Sequence, residues 1–208
     1  MIRADDILSA LEVSEKRFRH TLGVAECAKK LARTHFPALD IKEVELAALM
    51  HDFTKEYSIE RQYELCRYYG ITLSEDERLE PKLIHSKTAA AIADERFGLS
   101  KEACSAIYWH TTGRAAMTGF ETVIYLADYI EEYREDAACV RLREFYEKRI
   151  AKEKDPYAAL VKTLVKSFDA TIKYLLESGK TICGPTVTAR NYYIRALNAL
   201  QNENGVNK

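Results

Sequence analysis

The amino-acid sequence predicts an all-α fold, a single-domain helical bundle with a C-terminal helical extension, and three observations carry that expectation. Eight glycines and four prolines among 208 residues are about half the usual share of turn formers, too few for a chain of many short strands. Apolar residues recur at steps of three and four through most of the chain, and no alternating pattern lasts more than a few residues. Apolar residues at 47% and charged residues at 30% match a globular protein that buries one core of its own.

Residues 5–12 form a short amphipathic segment. A helix over 18–36 carries the stripe His20, Val24, Cys27 and Leu31, and Pro37 ends it. Asp40 is placed to cap a helix over 41–51 with Val44, Ala47, Ala48 and His51 inward. The next helix runs from Ser58 to Tyr69 and stops at Gly70. After Pro81, a helix over 83–97 turns His85, Ala89, Ile92 and Arg96 to one side, with Gly98 as its stop. Ser100 caps a helix to His110 with Ala103, Ile107 and His110 inward, and Thr112-Gly113 breaks it. From Glu121 to Arg134 the pattern puts Ile124, Asp128 and Glu131 on one face, beside Val123, Ala127 and Ile130. The Lys/Glu-rich stretch 143–154 reads as a solvated helix face.

Beyond Pro156 the longest stripe, from Leu160 through Val161, Leu164, Val165, Phe168, Ile172 and Leu175 to Leu176, makes a helix of about twenty residues. It packs on the protomer or on a twofold partner, so a homodimer is a possible assembly. Gly179 and Gly184-Pro185 set off a last helix over 186–200, and the tail 201–208 frays. Residues 1–208 read as one domain, with the histidine-bearing helices within about 17–135 and the C-terminal helices at about 140–200.

Basic residues number 31 against 32 acidic ones, a net charge of −1, which leaves no basic excess for a DNA or RNA polymer. A small nucleotide remains compatible. No apolar run approaches the roughly 20 residues that cross a bilayer, and acids stand near the start where a signal peptide is apolar. A cytoplasmic protein with no membrane partner is the expectation. The cysteines, Cys27, Cys66, Cys104, Cys139 and Cys183, form no CxxC pair, so neither a disulfide framework nor a thiolate zinc site is indicated.

The chemistry lies in His20, His51, Asp52, His85, His110 and Asp128, all at positions the periodicity turns inward. One inward histidine is more often a satisfied core residue than a ligand; six such groups from five helices change that balance. Imidazoles and carboxylates without thiolate suit iron, manganese, cobalt or zinc. Six protein ligands exceed what one catalytic ion takes, and a carboxylate can bridge two ions about 3.5–4 Å apart. The site therefore reads as a two-metal centre in which an acidified water attacks a clamped phosphoryl group. By themselves Lys55, three residues after Asp52, and Arg134, beyond Asp128, read as an ordinary exposed lysine and a surface ion pair with Glu131.

These residues resemble a known family. His20, His51-Asp52 and Asp128 are similar to the ligand pattern of the HD-domain metal phosphohydrolases, and the added His85 and His110 to that of their dinuclear branch. HDFTK (51–55), WHTTGR (109–114), YLADYIE (125–131) and TARNYY (188–193) narrow the resemblance to the YqeK-type bacterial hydrolases, which split diadenosine tetraphosphate symmetrically into two ADP. It covers roughly residues 1–200 and implies an HD-type bundle. By that resemblance His20, His51 and Asp128 hold one divalent ion, His85 and His110 the other, and Asp52 bridges them. Iron is the metal it implies first, with manganese, cobalt and zinc open. It further implies Asp52 and Lys55 as catalytic, and Lys55, Thr111, Thr112, Gly113, Arg114 and Arg134 as substrate-binding.

Two departures touch the substrate side. SKTAA follows His85 where relatives usually place a glycine, and EYRED follows YIE where a proline is common, so base preference and polyphosphate length stay open. The other readings are an HD nucleotidase or phosphodiesterase on another nucleotide, because one metal centre serves all three, and a nucleotide-sensing module without catalysis. Sensing modules typically lose ligands, and all six positions are filled here.

Overall fold

Side-chain oxygens start most of the helices. Ser14, Asp40, Ser58, Ser74, Ser100, Thr118, Asp136 and Asp155 each accept a backbone N–H of the first turn that has no partner inside its helix. In this computed structural model the backbone is described for residues 2–205 and the side chains through 202. The elements are α1 (Ala4–Leu8), α2 (Glu15–His35), α3 (Ile41–Met50), α4 (Ile59–Tyr68), α5 (Glu75–Leu79), a 3-10 turn (Pro81–Leu83), α6 (Ile84–Glu95), α7 (Lys101–Trp109), α8 (Gly119–Ile130), α9 (Ala137–Ile150), α10 (Pro156–Glu177) and α11 (Gly184–Gly205). The described residues contain no strand, and no described helix is long and apolar enough to cross a membrane.

Helix α2 packs between α3 and α8, α7 lies against α3, α6 and α8, and α10 joins α9 to α11. The shared core is rich in small side chains: Ala28 and Ala32 of α2, Ala47 and Ala48 of α3, Ala89 and Ala93 of α6, Ala103 and Ala106 of α7, and Ala127 of α8 are all fully buried. Interhelical distance follows the side chains at the contact, so these alanines draw the helices close enough for one cluster of polar groups to be reached from five of them. His20 sits early in α2, Asp128 in the last turn of α8, His85 in the first turn of α6, and His51 and His110 at the C-caps of α3 and α7.

Several sequence expectations are corrected. α5 was not foreseen: its five residues bury nothing, so it has no apolar period to read. Helix α8 ends at Ile130 rather than continuing to Arg134, because Glu131 turns to extended backbone (φ −60°, ψ 155°) and its carboxylate accepts the Tyr133 N–H at 2.6 Å. Arg96 is exposed, one residue past the end of α6. His35, expected at the surface, is half-buried with Nε2 2.8 Å from the Tyr146 hydroxyl of α9. Of the long stripe, Leu160 through Phe168 is spent on the protomer's own core, whereas Leu176 is 67% exposed. Residues 201–205 continue α11 instead of fraying; 206–208 lie outside the described residues.

Gly113 shows how the C-terminal helices fix the turn after α7. Its φ of +61° is a conformation that glycine adopts without steric penalty, and a Cβ there would stand 2.8 Å from the ring of Phe168 in α10. Gly113→Ala combines left-handed strain with overpacking, each worth about 1–2 kcal/mol or more. Denaturant unfolding should show a loss of at least about 2 kcal/mol; an unchanged midpoint and slope would refute that account of the turn.

Candidate metal centre

Each histidine of the cluster is oriented from behind. His51 Nδ1 lies 2.6 Å from the Ala48 carbonyl oxygen, His85 Nδ1 2.5 Å from that of Lys82, and His110 Nδ1 2.7 Å from that of Ile107. Carbonyl oxygens only accept, so these nitrogens carry the proton and donate, and the Nε2 lone pairs face the centre. His20 has the same arrangement with a carboxylate: its Nδ1 is 3.1 Å from Glu131 Oε1.

Asp52 lies between the four rings with its two oxygens divided among them. Oδ2 is 3.7 Å from His20 Nε2 and 3.4 Å from His51 Nε2, and Oδ1 is 3.1 Å from His85 Nε2 and 3.5 Å from His110 Nε2. Asp128 Oδ1 closes the first side, 3.0 Å from His20 Nε2 and 3.8 Å from His51 Nε2. All six sequence-predicted ligand positions thus meet at one place. His20, His51 and Asp52, and again Asp52, His85 and His110, each offer three atoms within 4.8 Å of one another.

The chemistry of this set fits cations. Among the described residues, His20 Nε2, His51 Nε2 and Asp52 Oδ1 are buried without a hydrogen-bond partner, which is costly for a protein interior. His85 Nε2 and His110 Nε2 stand 3.1 Å apart, two lone pairs facing each other. Burial and the Lys55 ammonium push His85 down to about 4, so at neutral pH it is an uncharged imidazole ready to ligate. Burial opposes ionisation of Asp52 and Asp128; the neighbouring histidines and Lys55 for the former, and Arg134 and the histidines for the latter, outweigh it and hold both well below the usual carboxylate range. Neutral nitrogens and charged oxygens are what divalent metals of the iron-to-zinc series take.

Three cations line this centre. Lys55 Nζ is 3.2 Å from His85 Nε2 and 3.8 Å from Asp52 Oδ1. Arg134 reaches back from beyond α8, with Nη2 2.6 Å from Asp128 Oδ1 and Nε 2.6 Å from its carbonyl oxygen, so it neither pairs with Glu131 nor lies along the helix. Arg17 Nη1 donates to Asp52 Oδ2 at 2.5 Å. Sequence reasoning passed over Arg17, although it lies three residues before His20 and therefore on the same face of α2.

Glu131 was also missed as a functional residue, although the periodicity had set it beside Asp128. Its burial is nearly complete at 1% exposure, Arg143 of α9 donates to its carbonyl oxygen, and Gly23 of α2 makes room for its carboxylate. The remaining sequence candidates sit one layer out. Thr111 and Thr112 line a cleft with Ser86, Tyr108 and Trp109. Arg114 forms a two-pronged pair with buried Glu121, Nε to Oε1 at 3.0 Å and Nη2 to Oε2 at 2.8 Å. Cys27 is packed against the core, and burial pushes its thiol up to about 12.

Residues 17–133 match the HD domain family. A symmetrical bis(5'-nucleosyl)-tetraphosphatase of Staphylococcus aureus is 32% identical over 187 residues, 89% of this chain and 91% of that protein. An enzyme of the same name from Halalkalibacterium halodurans is 32% identical over 86% of this chain and 89% of its own. The crystal structure of a predicted HD superfamily hydrolase involved in NAD metabolism, from Clostridium acetobutylicum, superposes with a TM-score of 0.82 at 34% identity, covering 94% of this chain and 99% of that one.

A methyl group at Gly23 would overlap Glu131 Oε2 and come within 2.8 Å of Tyr133. Gly23→Ala is therefore expected to push Glu131 off His20 and to weaken the His20 side of the centre selectively. Titration with Mn²⁺ should then show binding weakened by about tenfold, the range seen when a partner behind a metal-ligating histidine is removed, and unaltered binding would show that Glu131 does not position His20.

Proposed function

The chain belongs to the HD-domain family, and on that premise we propose that it is a dinuclear metal-dependent hydrolase that cleaves diadenosine tetraphosphate symmetrically into two ADP. The observation that carries the proposal is Asp52, whose two oxygens face two separate histidine groups. The names of the S. aureus and H. halodurans relatives, similar over most of their length, support the substrate.

We assign His20, His51 and Asp128 to one divalent ion, His85 and His110 to a second, and Asp52 to both. When bound, such a pair acidifies water and polarises the phosphoryl oxygens in an in-line displacement. Iron is our first assignment, and manganese, cobalt or zinc satisfies the same donors.

The chain's own cations stabilise the charge that develops. Lys55, held between Asp52 and His85, is assigned to the phosphoryl group under attack, where a preorganised ammonium acts on charge building up in the transition state. Arg17 and Arg134 line a cleft of about 250 Å³ with His20, Lys16 and Tyr133, and with the acidic Glu56, Glu131, Glu135 and Asp136 at its walls. The planar donors of the two arginines suit the phosphates of one nucleotide half. Thr111 and Thr112 we keep as substrate contacts at the neighbouring cleft, whereas Gly113 and Arg114 hold the turn through Phe168 and Glu121.

A cytoplasmic setting agrees with five cysteines that form no disulfide. A homodimer built on the α10 stripe would use the exposed Leu176 with half-buried Ile172 and Leu175, since Leu160 through Phe168 are consumed inside the protomer.

Metal-loaded protein incubated with diadenosine tetraphosphate should release ADP alone, and chelation should abolish the release. ATP plus AMP would reassign the cleavage position, and no turnover across a nucleotide panel would overturn the reading in favour of a sensing module. Elemental analysis after loading with excess iron or manganese should approach two ions per chain, and His85→Ala should bring it towards one. A wild-type ratio at or below one would remove the two-metal assignment.

A further inference from the structure

A substrate cut at its centre has two equal halves, and the centre described above has one cleft assigned to one of them. Resting on that reading, we propose that the cleft lined by Lys55, Tyr57, Ile59, Pro81, Lys82 and His85 is the site of the second nucleoside diphosphate.

Its position is the first support. Asp52 Oδ2 faces His20 and His51, and Oδ1 faces His85 and His110. The Arg17–Arg134 cleft contains His20, and this one, of about 370 Å³, contains His85. The two clefts therefore open on opposite ends of one row of ligands. Cleavage between the second and third phosphates leaves one half at each end of such a row.

The lining is the second. Two ammonium groups, Lys55 and Lys82, meet apolar surface from Tyr57, Ile59 and Pro81, and no carboxylate lines the cleft. Cationic groups beside a flat apolar wall are what a nucleoside phosphate requires. The other two clefts differ in this respect. Asp76 and Glu77 line the one that holds Thr111 and Thr112, where Lys87 is already paired with Glu77 at 2.7 Å, and Glu56, Glu131, Glu135 and Asp136 line the one that holds Arg17 and Arg134.

Tyr57 is built as a platform. Arg61, which is not among the lining residues, stacks on its ring at 3.5 Å and is itself held by Glu12 at 2.8 Å. A ring supported this way has little freedom to lose when a base stacks on it. The floor is equally fixed: Gln62 donates to the Thr54 carbonyl oxygen at 2.5 Å and accepts from Thr88 at 2.7 Å. Lys82 also gives its carbonyl oxygen to His85 Nδ1, a bond that survives replacement of its side chain.

The test uses the metal-loaded full chain. Wild-type enzyme is first assayed on diadenosine tetraphosphate, and failure to release ADP there would overturn the proposed function and this subsite together. Given an active wild type, Tyr57→Ala should raise KM for diadenosine tetraphosphate about tenfold, within the range for one lost base–aromatic stack. Lys82→Ala should raise it about threefold. In both variants kcat should stay within twofold of wild type and metal content should not change. Equilibrium dialysis with ADP should find two per chain in wild type and one in Tyr57→Ala. Wild-type KM and two bound ADP in both variants would overturn the subsite while leaving the hydrolase reading intact. A fall in kcat with loss of metal would likewise overturn it and make Tyr57 a support for His85.

Discussion

The structure depends on a single buried carboxylate. Asp52 is 3% exposed and ionised, and a buried unpaired charge is among the costliest features a fold can contain. Arg17 and Lys55 offset part of that cost, and the rest of its surroundings calls for an added cation. The imidazoles of His51, His85 and His110 point lone pairs, not protons, at the same space, and His20 stands between the carboxylates of Glu131 and Asp128. Helices α3 and α7 end at His51 and His110, and Asp128 lies in the last turn of α8, so three helix C-termini aim their partial negative charge the same way. Arg17 and Lys55 approach from the rim. A site with this much negative potential and this many uncommitted lone pairs is stable as a cation site and poor as an ordinary core.

The outer layer explains why the chain continues past the histidine-bearing helices. The reversal after Ile130 brings Glu131 onto His20 and Arg134 onto Asp128, and one residue of α9 holds both. Arg143 donates to the carbonyl oxygens of Glu131 and of Arg134, the latter at 3.3 Å. Helix α10 does the same for the turn after His110, where Phe168 stands against Gly113, and Thr186 of α11 donates to the Thr112 carbonyl oxygen at 3.1 Å. The C-terminal helices thus brace both ends of the histidine–aspartate cluster, although none of them supplies one of its six side chains.

What was legible in the sequence follows from what periodicity measures. His20, His51, His85, His110 and Asp128 were visible because each interrupts an apolar stripe, and a helix converts that interruption into a direction. Boundaries were legible where a side chain caps locally, as at Asp40, Ser58 and Ser100. α5 and the early end of α8 were not, because the first has no buried face and the second is set by contacts of Glu131 with α2 and α9. Arg17, Glu131 and Arg143 look like surface charges to any local reading. Only the tertiary fold shows that Gly23 leaves room for one and that Asp52 draws in another. The likeness of HDFTK, WHTTGR and YLADYIE to a hydrolase family found the centre, but did not show that Arg114 is engaged with Glu121.

On the proposed reading, identical halves of one substrate meet unlike ends of one site. The His20 end offers guanidinium groups already engaged with Asp52 and Asp128, so phosphates there must compete with carboxylates for the same planar donors. The His85 end offers ammonium groups in a cleft that no carboxylate lines, where phosphate gains charge with less rearrangement. The linings of the two clefts share no residue. The equality of the products must therefore come from where Asp52 stands between the clefts and not from matched recognition of the two nucleosides. A change in the depth of either cleft would shift the substrate along the ligand row and turn the same chemistry into an asymmetric cleavage, with the six donors untouched.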